Sequence, residues 1–357
     1  MSVTSSITPK RVKTLDYLRG IMAACVMLYH FSIWTAGTLD VGTFLAKVGI
    51  YGVSIFYILS GLTLFLVYQS SFRGSWEEIN SFAIKRIFRI FPLLWLSSLL
   101  TIALKYYQHK PLPTLWTLWL NITGLYGFIS PGACISVGAW SIGNELVFYA
   151  LFPFILWLLQ KNRNGFYIFW VITCLMSCYI SFYQLDTHIL LAKQWGIYIN
   201  PLNQLFFFVG GIAIGTFDQK SLDVFRYQSG RRIFVIVVLA FILYPVEGNQ
   251  IQIVAGWERI VFSTLSFVVC TSFYATRGKY IILPLEELLS FLGETSYSIY
   301  LLHPLVFFGL KEVSMKYLST REHFIISLLL TLCASYISYQ LLEKPVVRLG
   351  KSLLSLR

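Results

Sequence analysis

Leu15-Asp-Tyr-Leu-Arg-Gly-Ile-Met-Ala-Ala-Cys-Val-Met-Leu-Tyr-His-Phe-Ser-Ile-Trp-Thr-Ala-Gly37 is long enough to cross a bilayer, yet it carries an acid, a guanidinium and an imidazole at Asp16, Arg19 and His30. A transmembrane helix needs about 20 mostly apolar residues, since only closed hydrogen-bonding structures satisfy the backbone in lipid. Nine further runs of this kind follow. The expected spans are 15–37, 48–70, 87–106, 138–160, 166–185, 200–217, 233–248, 252–275, 288–310 and 324–343. With no small-residue cleavage site after it, the first run reads as a retained helix and not as a removed signal peptide. Composition agrees: 57% of residues are hydrophobic and only 12% charged, with a mean hydropathy of +0.68, outside the soluble range. The expected fold is an all-α integral membrane protein of about ten transmembrane helices in a single bundle. No loop is long enough for a soluble core, and no repeat is visible, so residues 1–357 read as one domain.

Lys and Arg placement gives the bundle a direction, because positive loops stay on the cytoplasmic side. Of the 28 Lys and Arg, only Lys47, Lys105, Lys110, Lys193, Arg259, Lys311, Lys316 and Arg321 fall outside or in the outer half. The others, from Lys10, Arg11 and Lys13 through Arg226, Arg277 and Lys279 to Arg357, gather on one side, which makes both termini cytoplasmic. The net charge of +12 is then a topology signal and calls for no nucleic-acid partner. Five of six cysteines lie within apolar runs, where a small polarizable side chain packs well, so neither a disulfide framework nor a metal site is expected. Asn121-Ile-Thr123 matches a glycosylation sequon. Residues 115–129 are apolar but short and glycine-containing, an interfacial segment or a shallow dip into the membrane.

Ionisable groups inside a span usually face a bundle interior or a water-filled cavity, so they are the functional candidates. Arg19 and His30 are eleven residues apart, which turns them within about 20° of each other and separates them by about 16 Å along a helix. One cavity wall can carry both. The blander reading has Arg19 reaching for the interface and His30 satisfying a packing hydrogen bond. Lys85-Arg86-Ile-Phe-Arg89, in the loop entering the third span, puts two arginines at i and i+3 on one face, suited to phosphate or to ordinary anchoring. Glu145 falls about two turns below the outer surface and His303, before Pro304, in the outer half. His30, Glu145 and His303 are therefore expected to converge at one level, unless Glu145 pairs with Arg259.

These residues resemble the membrane acyltransferase-3 family of multi-pass O-acyltransferases. The resemblance spans nearly the whole chain. Its carriers are Leu15-Asp-Tyr-Leu-Arg-Gly20 with His30, Phe56-Tyr-Ile-Leu-Ser60-Gly61, Lys85-Arg86-Ile-Phe-Arg89, Trp140-Ser141 with Glu145, Tyr297-Ser-Ile-Tyr-Leu-Leu-His303 and Glu343-Lys-Pro345. It implies transfer of an acetyl group from cytoplasmic acetyl-CoA to a hydroxyl of an envelope glycan or lipid-linked acceptor, by a multi-pass enzyme of the inner (plasma) membrane. Carried across, the helix-1 pair corresponds to Arg19 and His30, and the paired arginines to Arg86 and Arg89. Some relatives append an SGNH hydrolase-like domain, which is not expected here because the sequence runs only a short way past Glu343.

The chemistry then divides into two roles. Arg86, Arg89 and Arg19 are expected to hold phosphates or the polar arm of acetyl-CoA. His30 is expected to act as general base on the acceptor hydroxyl, with Glu145 or His303 orienting or assisting it. An acetyl-His30 intermediate is the mechanistic rival. Two other functions compete: a polytopic transporter of an anionic or lipid-linked substrate, to which the glycines of Phe208-Val-Gly-Gly-Ile-Ala-Ile-Gly215 are equally suited, and a non-catalytic scaffold. Lipopolysaccharide O-antigen is the leading acceptor, with capsule, exopolysaccharide and macrolide-type small molecules open.

Overall fold

The structure, a computed structural model, describes residues 12–37, 39–225, 228–276, 283–314 and 317–355. Lys10, Arg11, Arg226, Arg277, Lys279, Lys316 and Arg357, all used in the charge argument, lie outside the described residues. Among the described residues sixteen α-helices are present: α1 Lys13–Ala36, α2 Phe44–Tyr68, α3 Trp76–Tyr107, α4 Leu115–Thr123, α5 Tyr126–Ile129, α6 Trp140–Lys161, α7 Arg163–Tyr179, α8 Trp195–Tyr198, α9 Pro201–Gly215, α10 Gln219–Asp223, α11 Gln228–Leu243, α12 Gln250–Val254, α13 Gly256–Thr276, α14 Leu283–Ser314, α15 Thr320–Ser338 and α16 Lys344–Ser355. No strand occurs among the described residues.

Each of the ten expected runs coincides with one of these helices. Seven of them, α1, α2, α3, α6, α7, α13 and the continuous α15–α16, are long and apolar enough to cross a membrane, and α8 with α9 makes an eighth if that bent pair is one span. The other two fall short for separate reasons. α11 has 16 residues. α14 has 32, but Glu286, Glu287, Glu294, His303 and Pro304 lower its hydropathy. The multi-pass membrane class therefore stands, with seven helices among the described residues long and apolar enough to span, eight if the bent pair is one, against an expectation of about ten. Large apolar side chains such as Leu99, Ile168, Leu175, Ile236, Leu329 and Ile337 cover the bundle's outside. Such a surface suits lipid and not water.

Local sequence accounts for several helix ends. The third helix begins at Trp76, eleven residues before the expected boundary, because Ser75 and Glu78 form a reciprocal capping box. Arg86 and Arg89 are consequently helical and do not lie in a loop. α8 and α9 meet at 57°, where Asn200 caps α9 by accepting from the Leu202 amide and Pro201 takes the first helical position. Residues 115–129 form α4 and α5, with α4 stopped at Gly124 in a left-handed conformation. Asn121 is buried there, donating to the Thr117 and Ala133 carbonyls and accepting from the Ile135 amide. The sequon therefore serves packing.

The decisive contact is between α1 and α14. Lys13 pairs with Glu286 at 2.9 Å, Gly20 lies against Gly293, and His30 meets His303. All three partners advance together along both helices, so α1 and α14 run parallel and in register. Parallel neighbours have aligned dipoles, and close backbone packing holds such helices together in lipid. A Cβ added at Gly20 would sit 2.5 Å from the Gly293 amide nitrogen, and one at Gly293 2.5 Å from the Asp16 carbonyl. α2 and α9 pack in the same way, with Gly61 on the Phe208 carbonyl and Gly211 on the Ile58 carbonyl.

Gly20→Val must push two backbones apart, an overpacking cost of about 1–3 kcal/mol or more. Its melting temperature should fall by several degrees in detergent, whereas Gly309→Val, where a Cβ meets nothing within 4 Å, should melt with the parent. Equal melting of the two variants would show that the α1–α14 approach is looser than described.

Candidate active site

At one end of the α1–α14 contact the two imidazoles join. His30 Nδ1 and His303 Nε2 are 2.9 Å apart, with the rings nearly coplanar at 10°. The other ring nitrogen of His303, Nδ1, faces the Ile299 carbonyl at 2.9 Å. A carbonyl only accepts, so this nitrogen carries a proton. In the neutral pair His303 Nε2 is then bare and accepts from His30 Nδ1–H. The assignment leaves the lone pair of His30 on Nε2, as a general base requires. His303 is 1% exposed, while His30 keeps an accessible edge. Trp34 stacks on His30 with centroids 5.0 Å apart, and a ring that gains a proton there gains attraction to the indole face.

Toward the other end lies a cavity of about 410 Å³ that Arg19, Arg86, Arg89 and Glu145 all line. Two helices supply the cations, α1 one and α3 two, and each arginine is held differently. Arg19 of α1 donates to Thr63 Oγ1 at 2.7 Å and the Leu59 carbonyl at 3.3 Å on α2, and pairs with Asp16 at 3.3 Å. Arg89 of α3 pairs at 3.2 Å with Glu343, in the widened π turn Tyr339–Glu343 that ends α15. The second oxygen of Glu343 accepts from Ser298 Oγ on α14. Arg86 lies over the rings of Phe82 and Tyr149, and its Nε has no hydrogen-bond partner. Among the described residues Arg86 makes no ion pair.

Glu145 belongs to this cavity. Its carboxylate accepts from Tyr149 at 3.0 Å, and that hydroxyl is 3.0 Å from Ser60 Oγ. It makes no hydrogen bond to either imidazole. The expected meeting of three titratable groups is thus divided: His30 with His303, Glu145 with the arginines. The physical reason is azimuth: α1 and α14 touch directly, whereas Glu145, near the start of α6, is turned toward Tyr149 and through it toward Ser60 of α2. Nor does Glu145 pair with Arg259. Arg259, 2% exposed, donates to the Asn203 carbonyl and Gln204 Oε1 and lies over Phe206 and Phe207, bracing the start of α9.

Two participants carried no role in the sequence reading. Glu343 stood in a quoted motif, and a carboxylate at the end of an apolar run opposite unpaired arginines was the available signal. Ser298 gave none, since a buried serine in a helix usually bonds its own preceding turn.

Comparison with known proteins adds a separate line. A family model described as an acyltransferase domain matches residues 12–340. A putative acetyltransferase, ORF330, of Acidianus two-tailed virus is 23% identical over 299 residues, covering 81% of each chain. The O-acetyltransferase OatA of Staphylococcus aureus strain NCTC 8325 / PS 47 is 24% identical over 379 residues, covering 96% of this chain and 58% of that protein. The chain thus spans little more than half the length of the staphylococcal relative. No solved structure gives a significant match.

The Arg89–Glu343 pair is open to a double-mutant cycle. The Glu343 side chain is 1% exposed and that of Arg89 39%, so this half-wet pair should couple by about 1–3 kcal/mol in unfolding free energy. Glu343→Gln should destabilise clearly, and less so once Arg89→Gln is present. Strict additivity would mean that the pair does not form.

Proposed function

The chain belongs to the acyltransferase family, and on that premise we propose that it transfers an acetyl group from acetyl-CoA to a sugar hydroxyl of an envelope glycan, with lipopolysaccharide O-antigen first among acceptors, in the plasma membrane. The observation that carries this is one bundle in which three arginines line one cavity, Arg86 making no ion pair among the described residues, with a paired imidazole base beyond it. The names of the relatives, an O-acetyltransferase and a putative acetyltransferase, support acetyl as the group moved.

Coenzyme A offers phosphates at one end of a long thin arm and the thioester at the other. Arg86 takes phosphate charge, with Arg19 and Arg89 oriented beside it, since forked donors match phosphate oxygens. The arm runs along α1 toward His30, over the roughly 16 Å that a helix sets between Arg19 and His30. His30 Nε2 removes the proton from the acceptor hydroxyl as that oxygen forms its bond to the thioester carbonyl carbon. The carbon–sulfur bond then breaks, the proton passes from His30 to the sulfur, and free coenzyme A and the acetyl ester leave. While His30 is charged, its Nδ1 proton moves toward His303 Nε2, so both rings and the Trp34 face share the charge.

The transporter alternative draws on the bend between α8 and α9, since broken helices bind solutes in carriers. Here the freed carbonyls are occupied: Asn203 and Gln204 donate to Tyr198 and Asn144 donates to Ile199. The bend offers a solute no open ligands.

Purified protein in lipid vesicles, given labelled acetyl-CoA and a glycan acceptor, should form an alkali-labile ester. His30→Ala should lower kcat by about 10²–10⁴-fold, the usual contribution of such a base, and His303→Ala should lower it less. Arg86→Gln should chiefly raise KM for acetyl-CoA. An unimpaired His30→Ala enzyme, or trapped acetyl-enzyme in the absence of acceptor, would overturn the direct-transfer scheme.

A further inference from the structure

A second cleft, of about 480 Å³, lies across α2 from the arginine cavity. Ser60, Thr63, Leu64 and Val67 of α2 line the arginine cavity, whereas Phe65 and Gln69 line this one. At about 100° per residue the two sets point to opposite sides of the helix. The ends of α2, α6, α9 and α13 and the start of α7 supply the lining. A cleft at the ends of spanning helices lies at the depth of lipid headgroups, and this end of the bundle is the one on which Lys and Arg gather.

Its two halves differ in chemistry. Phe65, Leu156 and Tyr274 are buried, whereas Gln69, Gln160 and Arg163 are exposed, so the cleft is apolar at depth and polar at its mouth. The Phe65 ring takes the place of a side chain at Gly215, where an added Cβ would lie 2.2 Å from it, which fixes that part of the wall. The rim is braced twice. Gln160 donates to the Phe72 carbonyl at 2.8 Å, tying α6 to the turn after α2. The Tyr167 hydroxyl meets Thr216 Oγ1 at 2.9 Å, tying α7 to the end of α9. The cleft is therefore preformed, at a volume within the range of about 300–1,000 Å³ usual for small-ligand sites.

Arg163 is the cation at the mouth. Its Nη2 group leans on the Thr216 carbonyl at 3.4 Å and the Tyr167 hydroxyl at 3.5 Å, and among the described residues it makes no ion pair. Asp218 attracts it at longer range, but that carboxylate accepts from the Ser221 amide at 2.8 Å. We propose that this cleft is a binding site for one anionic phospholipid, its phosphate on Arg163 and the carbons nearest its headgroup against Phe65, Leu156 and Tyr274. Forked guanidinium donors match phosphate oxygens, and basic pockets between spanning helices suit anionic headgroups. A soluble anion uses the mouth alone and leaves the apolar wall wet. A lipid uses both halves.

The full chain in detergent, titrated with phosphatidylglycerol and followed by native mass spectrometry, should take up one copy ahead of the rest, and zwitterionic phosphatidylcholine more weakly. Arg163→Gln should weaken that first step about fivefold, the worth of one cation near an anionic lipid surface. Leu159→Trp, which fills the cleft from its lining, should remove the step. Arg348→Gln, an exposed cation of α16 outside the cleft, should bind as the parent does. A first step unchanged in both Arg163→Gln and Leu159→Trp overturns the proposal, as does equal uptake of the two lipids, the mark of a general lipid shell. Displacement of the lipid by comparable concentrations of glycerol 3-phosphate would make the ligand a soluble phosphate and overturn the lipid assignment.

Discussion

The parallel register of α1 against α14 is the constraint from which the site follows. Two glycines, Gly20 and Gly293, let the backbones touch, and the contact is too close for any side chain at either position. With the separation and stagger fixed there, one pair of residues a few turns further on must also meet. That pair is His30 and His303. In lipid, apolar side chains gain nothing by leaving the solvent for one another, so close packing and internal hydrogen bonds decide which helices associate. The glycine contact and the imidazole bond are such interactions, and they sit on the same two helices.

Around this spine the remaining helices divide the work. α2 is buried nearly throughout and gives Arg19 its acceptors from Leu59 and Thr63. α3 brings the second and third arginines from outside the spine, and the π turn after α15 turns Glu343 inward to hold one of them. Such a turn inserts a residue into the helical repeat and often marks functional positions. The outcome is a graded set of cations. Arg19 and Arg89 have carboxylate partners, whereas Arg86, resting on aromatic faces, has none. All three line the same cavity.

Two sets of polar groups stand apart in the bundle, the arginines with Glu145 at the cavity and the histidine pair beyond it. Charged groups are expensive in the membrane interior and need a partner or water. Arg19 and Arg89 have carboxylate partners at the cavity, and the imidazoles lie in an aromatic nest of Phe31, Trp34 and Phe307.

The sequence by itself determined the membrane class, the approximate place of ten helices, the arginines, and both histidines. Each of these is a local signal: run length, hydropathy, or a titratable residue where lipid disfavours one. It also carried the family resemblance, since that rests on short motifs and their order. Which candidates touch was decided only by the tertiary structure. Axial depth placed His30, Glu145 and His303 at one level, yet depth says nothing of azimuth, and the parallel pairing of α1 with α14 joined the histidines while α6 turned Glu145 toward the arginines. The same holds for Glu343. Its position at the end of the last span was legible, but its use depended on the π turn that rotates it inward and on Ser298 and Arg89 arriving from two other helices. Helices are written in neighbouring residues; a site between helices is set by how their backbones approach, and the small residues that permit that approach do not name their partners.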